Sequence, residues 1–264
     1  MNDLMPYPKP EPEYSGGNFG REKPPDTMAP VLKWDDFLTY AFDWKQSQHV
    51  AMIGPTDSGK STLTYNLLPL RKYHVFFATK PKDKVLEVFG KKGKFTRLDD
   101  WPPLVGHLRK RPATAEEMPK RLLWPSAEHI SSVNRQAQVF RRAFQDVYNQ
   151  GGWTVTWDEY WYMNQVLKLE DEGRIFLQQA RSNDISFVMG AQRPARIPLE
   201  IYDQSTHLFF WRDADERNLK TMGGIGWLNA GPIRAFVARL EPHQVLYINA
   251  RTGHMYRTTC PEAD

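Results

Sequence analysis

The stretch that decides the fold begins with His49-Val50-Ala51-Met52-Ile53 and continues as Gly54-Pro55-Thr56-Asp57-Ser58-Gly59-Lys60-Ser61. Its largely apolar first part predicts a short buried strand. Its second part has the form G-x-x-x-x-G-K-S, in which the two glycines let the backbone curl so that successive N–H groups point inward. Residues 61–68 then continue as a predicted helix that ends near Pro69. The sequence therefore predicts a strand, a tight loop and a helix in direct succession.

N–H groups that converge at the start of a helix form a site for phosphate, because the helix dipole adds partial positive charge there. Lys60 would reach the β- and γ-phosphates of a nucleotide, and the Ser61 hydroxyl would take one coordination position of Mg²⁺. A chance glycine-rich turn is the alternative, but motif, preceding strand and following helix all agree. We therefore predict a nucleoside triphosphatase. The expected nucleotide-binding residues are Gly54, Pro55, Thr56, Asp57, Ser58, Gly59, Lys60, Ser61 and Thr62.

The composition fits one large α/β domain with short extensions. The chain has 264 residues, of which 41% are hydrophobic, and no apolar run approaches the roughly 20 residues that a membrane helix needs. No signal sequence is visible at the N-terminus, so we expect a cytoplasmic protein. The lone Cys260 excludes an internal disulfide framework. A net charge of +4 permits a nucleic-acid partner without requiring one.

Three segments are predicted along the chain. Residues 1–30 are rich in proline and should form an extended tail, residues 31–250 the ATPase domain, and residues 251–264 a short C-terminal tail. Residues 90–125 are proline-rich and basic, which predicts an irregular connection with one strand near its end. Short apolar runs alternate with helical patterns, as in a parallel sheet covered by helices. The predicted strands are 73–79, 121–124, 153–157, 185–191 and 206–211, followed by a hairpin of 235–240 and 245–249.

Two acids, Asp158 and Glu159, directly follow the predicted strand 153–157. In a triphosphatase Asp158 would hold Mg²⁺ through water or Ser61, and Glu159 would orient and deprotonate the attacking water. Any strand end can carry exposed acids, but the apolar strand before this pair favours the catalytic interpretation. Because Thr154 and Thr156 dilute the apolar run, we expect this strand not to be fully central.

The glutamate beside the aspartate argues against a small signalling GTPase, which takes its water-positioning group from a mobile glutamine. A strand inserted between the loop strand and the Asp-Glu strand is typical of the additional-strand, catalytic-glutamate (ASCE, RecA-like) class of P-loop NTPases. Residues 73–79 and 121–124 leave room for such a sheet. The expected fold class is therefore α/β, with a mostly parallel central sheet flanked by helices.

Residues 178–198 are the most discriminating stretch. An arginine, Arg181, precedes a predicted strand that ends in Gln192-Arg193-Pro194, and an Ile-Pro pair follows. This segment resembles the FtsK/HerA superfamily of DNA-pumping ATPases. The resemblance extends from the phosphate loop to about Trp211, with four signals in the expected order.

The resemblance implies specific roles. Gln192 would sense the γ-phosphate, while Arg181 would act in trans on the nucleotide of a neighbouring subunit, with Arg174, Arg193 and Arg196 as competitors for that role. An amide can hydrogen-bond phosphate and water within its own site, whereas an inserted guanidinium stabilises developing charge only once a ring has closed. ATP, rather than GTP, is also implied by the resemblance alone.

Tryptophans surround the acidic pair. Trp153 and Trp157 share one face of the predicted strand, which favours core packing over base stacking. Trp161 and Tyr162 leave both interpretations open. The histidines show no spacing typical of metal ligands.

We expect a ring-forming ATPase that moves double-stranded DNA, most plausibly a viral genome-packaging motor, since no membrane helices or extra DNA-reading domain accompany the ATPase. Expected partners are double-stranded DNA, further copies in a pentameric or hexameric ring, and a portal or capsid vertex protein, with no membrane; the location would be the host cytoplasm if viral. An ATPase for protein assembly or secretion is the first alternative. A slow nucleotide-dependent switch is the second, although it would have little use for Glu159 and Gln192 together.

Overall fold

A nine-stranded sheet forms the centre of the protein, which is described by a computed structural model for residues 24–126, 129, 132–194, 197–222 and 230–262. The strands lie in the order β11-β10-β9-β1-β8-β7-β2-β6-β3, and β4 and β5 pair separately. The sheet is parallel from β9 to β3, while β10 runs antiparallel to both of its neighbours. The strand bounds are β1 His49–Ile53, β2 His74–Phe77, β3 Thr96–Leu98, β4 Leu104–Val105, β5 Arg111–Pro112, β6 Lys120–Leu123, β7 Thr154–Trp157, β8 Ser186–Ala191, β9 Ser205–Trp211, β10 Gln244–Asn249 and β11 Met255–Thr259.

Helices cover both faces of this sheet. Alternate residues of β1 point to opposite faces, so Ala51 and Ile53 join one hydrophobic core while Val50 and Met52 join another. The first core holds the buried sides of α4 and α5, and the second holds the buried side of α2. The helix bounds are α1 Trp34–Asp36, continued by a π-turn over Phe37–Ala41, α2 Lys60–Leu67, α3 Lys84–Lys92, α4 Ser132–Gln150, α5 Glu170–Gln179, α6 Leu199–Gln204, α7 Glu216–Met222 and α8 Ala230–Val237.

The strand between the phosphate-loop strand and the Asp-Glu strand is β8. This arrangement confirms the expected fold class. The inserted strand is therefore 186–191, whereas β2 and β6, which were expected to leave room for it, lie on the far side of β7.

The expectation that the Asp-Glu strand is not fully central is wrong. β7 pairs with β8 and β2, and all four of its residues are buried. Thr156 fits there because its hydroxyl hydrogen-bonds His74 Nε2 of the adjacent strand at 2.8 Å. Trp153 and Trp157 are also buried, as their shared face predicted, whereas Trp161 is 41% exposed.

The chain beyond α7 also differs from the prediction. Residues 235–240, predicted as a strand, belong to α8 and the turn after it. The hairpin joins β10 to β11 instead, so residues 255–259 of the predicted tail form a sheet strand. Residues 90–125 likewise hold four short strands rather than one.

The last part of the predicted N-terminal tail packs on the domain. Ala29 is fully buried, and Arg257 of β11 donates to its carbonyl from Nε at 2.8 Å. The rest of that tail, residues 1–23, lies outside the described residues. Among the residues that are described, no helix is long and apolar enough to cross a membrane.

Candidate active site

The phosphate loop lies between β1 and α2, as the sequence predicts. Gly59 caps α2 with φ +108°, a conformation that favours glycine. A Cβ on Gly54 would lie 2.8 Å from Trp211 Cβ, so only glycine fits against the end of β9. The Ser58 hydroxyl is buried with no hydrogen-bond partner in the described chain. A phosphate oxygen would supply the acceptor that this hydroxyl lacks.

Lys60 folds back across this loop. Its Nζ donates to the carbonyl oxygens of Gly54 at 2.7 Å and Pro55 at 2.6 Å. Burial lowers the pKa of Lys60 to about 8, although Glu159 and Asp158 oppose the shift. A buried ammonium with only carbonyl partners is poised to take a stronger anionic acceptor.

A cleft of about 980 Å³ runs along the carboxyl edge of the sheet over this loop. It brings together residues that are distant in sequence, because parallel strands end at the same edge. The predicted site residues that line it are Thr56, Asp57, Ser58, Gly59, Lys60, Ser61, Thr62, Asp158, Glu159 and Gln192.

Asp158 and Glu159 face the loop from the end of β7. Burial raises the pKa of both carboxyl groups. Lys80 and Lys60 oppose the shift at Asp158. At Glu159 the Gln192 hydrogen bond opposes it first and Lys60 second. Gln192, at the end of β8, hydrogen-bonds the Glu159 side chain and accepts from Thr56 Oγ1 at 3.3 Å. The strand-end amide thus connects the loop to the acid expected to activate water.

The residues present fit Mg²⁺ as the sequence predicts. The Ser61 hydroxyl and the Asp158 carboxylate both line the cleft. No group of three or more His, Cys, Asp or Glu side chains in the described residues is arranged around a metal. Mg²⁺ needs no such group, since it keeps several waters and binds one or two protein oxygens plus phosphates.

Lys80 is a residue of the cleft that the sequence patterns did not single out. Lys80 lies in the cleft with Nζ 3.7 Å from Asp158 Oδ2 and 3.4 Å from Asp83 Oδ2. Asp83 also caps α3 by accepting from Leu86 N at 2.9 Å. A sequence signal for Lys80 exists. Lys80 directly follows the predicted strand 73–79, just as Asp158 directly follows the predicted strand 153–157.

Arg181 is far from this cleft. Its guanidinium donates to the Gln204 carbonyl and lies 3.5 Å from Thr206 Oγ1. Both acceptors are at the start of β9, where Ser205 pairs with His49, so Arg181 occupies the amino edge of the sheet. That edge is about 15 Å from the phosphate loop, the length of a five-residue strand.

The competing arginines are placed differently. Arg174 is exposed on α5 and pairs with Glu170 at 2.9 Å, while Arg193 is exposed directly after Gln192. Arg196 lies outside the described residues. Of these, Arg193 is the nearest in sequence to the cleft.

Solved structures with the same fold include viral packaging ATPases. The DNA-packaging ATPase B204 from Sulfolobus Turreted Icosahedral Virus superposes with a TM-score of 0.55 at 12% identity, over 84% of this chain and 100% of that one. The genome packaging NTPase B204 from Sulfolobus turreted icosahedral virus 2, in complex with AMPPCP, gives 0.56 at 13% identity, over 80% and 96%. EssC (ATPases 2 and 3) from Geobacillus thermodenitrificans gives 0.53 at 10% identity, over 84% and 41%.

A scan against protein-family models and a search of curated proteins both find no match. At these identities the structural likeness shows the fold. It confirms the α/β P-loop fold, which is the fold that the resemblance to FtsK/HerA-type ATPases implies.

Proposed function

We propose that this chain, which has the fold of viral packaging ATPases, hydrolyses ATP and couples hydrolysis to the movement of double-stranded DNA during genome packaging. The observation that carries the proposal is the convergence of Lys60, Asp158, Glu159 and Gln192 on one cleft. A nucleotide-binding switch would not need a carboxylate and an amide at the γ-phosphate end of the loop. The expected partners are double-stranded DNA, further copies in a pentameric or hexameric ring, and a portal or capsid vertex protein.

Each residue has a distinct task in the proposed reaction. The loop N–H groups and Lys60 bind the β- and γ-phosphates, and Lys60 exchanges the Gly54 and Pro55 carbonyls for phosphate oxygens. Glu159 takes the proton of the attacking water, which its burial-raised pKa favours. Gln192 holds that water and the γ-phosphate in line through its amide. Mg²⁺ held by Ser61 and Asp158 would supply neutralisation of the charge on the phosphates.

Arg181 is the proposed trans arginine of the ring. Its position at the opposite edge of the sheet means that it cannot serve the cleft of its own subunit. Hydrolysis by isolated monomers should therefore not depend on Arg181. A contribution from this residue should be visible only when subunits assemble.

An ATPase that drives protein secretion is the second candidate, favoured by the likeness to EssC and to the type VII secretion ATPase EccC from Thermomonospora curvata, with a TM-score of 0.50 at 13% identity. The superposition covers 41% of the EssC chain and 26% of the EccC chain. The response of hydrolysis to DNA separates the two candidates.

The test is steady-state phosphate release across a protein concentration series, with and without long double-stranded DNA, at low and high salt. Stimulation by DNA that is lost as salt rises supports a DNA motor, since phosphate contacts weaken as counterions compete. Turnover per subunit should rise with concentration in the wild type and in Arg174→Ala, and stay flat in Arg181→Ala; a flat profile in Arg174→Ala alone would give the trans role to Arg174. Hydrolysis that ignores DNA at every concentration would favour secretion instead.

A further inference from the structure

The cleft extends past the phosphate loop on the side away from the acids. Along the carboxyl edge, Asp158, Glu159 and Gln192 lie toward β7 and β8, whereas the other half of the cleft is bordered by the ends of β9 and β11 and the start of β10. A γ-phosphate directed at Glu159 fixes the orientation of the nucleotide. Its nucleoside must then lie in the half of the cleft beyond Gly59, toward β9, β10 and β11.

Trp211, the last residue of β9, forms the floor of this second half. Its side chain is 2% exposed, yet it lines the cleft, and its Nε1 would be 3.4 Å from a Cβ placed on Gly59. Because Trp211 lines the cleft, its indole N–H is a donor that a ligand oxygen or nitrogen could accept from.

His243 stands over the same part of the loop. It lies in the turn before β10, and its Nδ1 would be 3.9 Å from the Cβ placed on Gly59. The turn is closed by a hydrogen bond from Gln244 N to Glu241 O at 3.1 Å, and His243 has φ +60°. A non-glycine residue held at positive φ costs free energy, and such residues cluster at ligand sites. His243 is nevertheless exposed, so its ring is available to a base.

The C-terminal end of β11 completes the wall. Glu262 is exposed and lines the cleft, and Asn66 of α2 fixes its neighbour by donating from Nδ2 to the Pro261 carbonyl at 3.3 Å. Glu262 is the sole carboxylate among the described lining residues in this half of the cleft.

We propose that Trp211, Pro242, His243 and Glu262 form the nucleoside subsite, and that it binds purines with little distinction between adenine and guanine. This inference rests on the proposed function, since it uses the orientation of the γ-phosphate. Pro242 and His243 provide a face for stacking, which every purine can use. The Glu262 carboxylate accepts an N–H from the amino group of adenine or from the N1–H and amino group of guanine.

We expect weak discrimination between purines because Glu262, the carboxylate that would contact the base, is exposed. A site rejects the wrong base strongly only when buried polar groups would be left unpaired by it. Glu262 is exposed, so water replaces any hydrogen bond that a base fails to make. We expect ATP and GTP affinities within about tenfold of each other, and both above CTP, whose smaller base offers less stacking area.

The test is isothermal titration calorimetry with ATP, GTP, CTP and inorganic tripolyphosphate, each with Mg²⁺. His243→Ala should weaken ATP about tenfold and leave tripolyphosphate unchanged, while His254→Ala at the opposite end of the hairpin changes neither. Trp211→Phe, which keeps an aromatic ring and removes the donor, should weaken ATP about tenfold or more with an unchanged circular dichroism spectrum. Glu262→Gln should alter the ratio of ATP to GTP affinity, and Glu241→Gln should not.

The outcomes separate the two proposals. Equal affinity of the wild type for tripolyphosphate and ATP would overturn the nucleoside subsite. Unchanged ATP affinity in both His243→Ala and Trp211→Phe would overturn it as well. In either case the nucleoside binds elsewhere, and the phosphate site stands. A strong preference for one purine overturns the weak discrimination. No binding of any triphosphate by the wild type, with Lys60→Ala as the negative control, would overturn the proposed function itself.

Discussion

Replacing Gly190 by Ala tests whether the ends of β7 and β8 fix the catalytic geometry. A Cβ on Gly190 would lie closer to the Asp158 carbonyl oxygen than the 3.0 Å that real Cβ atoms keep, and 3.3 Å from its carbonyl carbon. The obstacle is backbone, so it cannot rotate away. The two strand ends must separate by about 0.5–1 Å, and overpacking of this kind costs about 1–3 kcal/mol of unfolding free energy.

This separation acts directly on the proposed site, because Asp158 and Glu159 follow β7 and Gln192 follows β8. A misplacement of about 1 Å can reduce turnover about 100-fold. Affinity for ATP should fall much less, since the phosphate loop is carried by β1. The melting temperature should fall by about 2–12 °C, from about 2–4 °C per kcal/mol for a domain of this size.

The assay pairs phosphate release with ATP titration and thermal melting. Gly152→Ala is the matched control, since Gly152 lies just before the amino end of β7, has φ +74° and has open space around it. That variant should lose about 1 kcal/mol through backbone strain and keep its turnover. If Gly190→Ala retained wild-type turnover, the close approach of β8 to Asp158 would have no role in catalysis and the argument would be refuted.

Three further predictions concern single side chains. Glu159→Gln should lower turnover about 10²–10⁴-fold and keep ATP binding, because it removes the base and not a phosphate contact; equal losses in both assays would contradict this. Lys60→Ala should weaken ATP binding itself, measured by calorimetry, since the lysine contacts ground-state phosphates. Burial lowers the pKa of His49, His74 and His207 from 6.5 to about 3. The unfolded chain therefore binds more protons between these values, and unfolding free energy should fall as pH drops from about 6.5 toward 3, by about 1.4 kcal/mol per pH unit for each histidine. Urea titrations between pH 7 and pH 5 should show this slope, and His207→Gln should reduce it by about one histidine's share; an unchanged slope would contradict the assignment.

The phosphate loop, the acidic pair and the strand-end glutamine could be predicted because each follows an apolar run. In a parallel sheet the ends of such runs meet at one edge, so local patterns are enough to predict that these residues converge. A second local pattern, the shared face of one predicted strand, predicted that Trp153 and Trp157 are buried. None of these predictions required knowing the order of the strands.

Residues 235–240 were mispredicted because, taken alone, they form a short apolar run interrupted by Arg239, which a strand and a buried helix segment share. In the structure Ile233, Phe236, Val237 and Leu240 are buried at the i, i+3, i+4, i+7 spacing of a helix. β11 was not predicted because its sequence is not apolar enough. It is an edge strand in which four of five residues are partly or fully exposed, so it lacks the apolar signal of a buried strand.

Contacts that depend on the order of the strands in the sheet could not be predicted from these local patterns. Whether Thr156 is satisfied depends on β2 lying beside β7, which places His74 Nε2 within 2.8 Å of its hydroxyl. The role of Gly190 requires β8 to lie on the other side of β7. Sequence separation says nothing about either neighbour.

Lys80 shows the same dependence in the charge balance of the cleft. Among the described residues that line the cleft, two lysines, Lys60 and Lys80, accompany Asp83, Asp158 and Glu159. Burial alone would drive Asp158 toward its neutral form. Lys80, which follows β2, opposes this shift. The pKa of Lys80 is itself raised, because the attraction of Asp158 and Asp83 outweighs the effect of burial. The charged form of Asp158, the metal ligand predicted from β7, is thus stabilised by a lysine supplied by the next strand. From the sequence alone, a lysine at this position is predicted to be an ordinary surface residue. The pairing of β2 with β7 is what makes it part of the site.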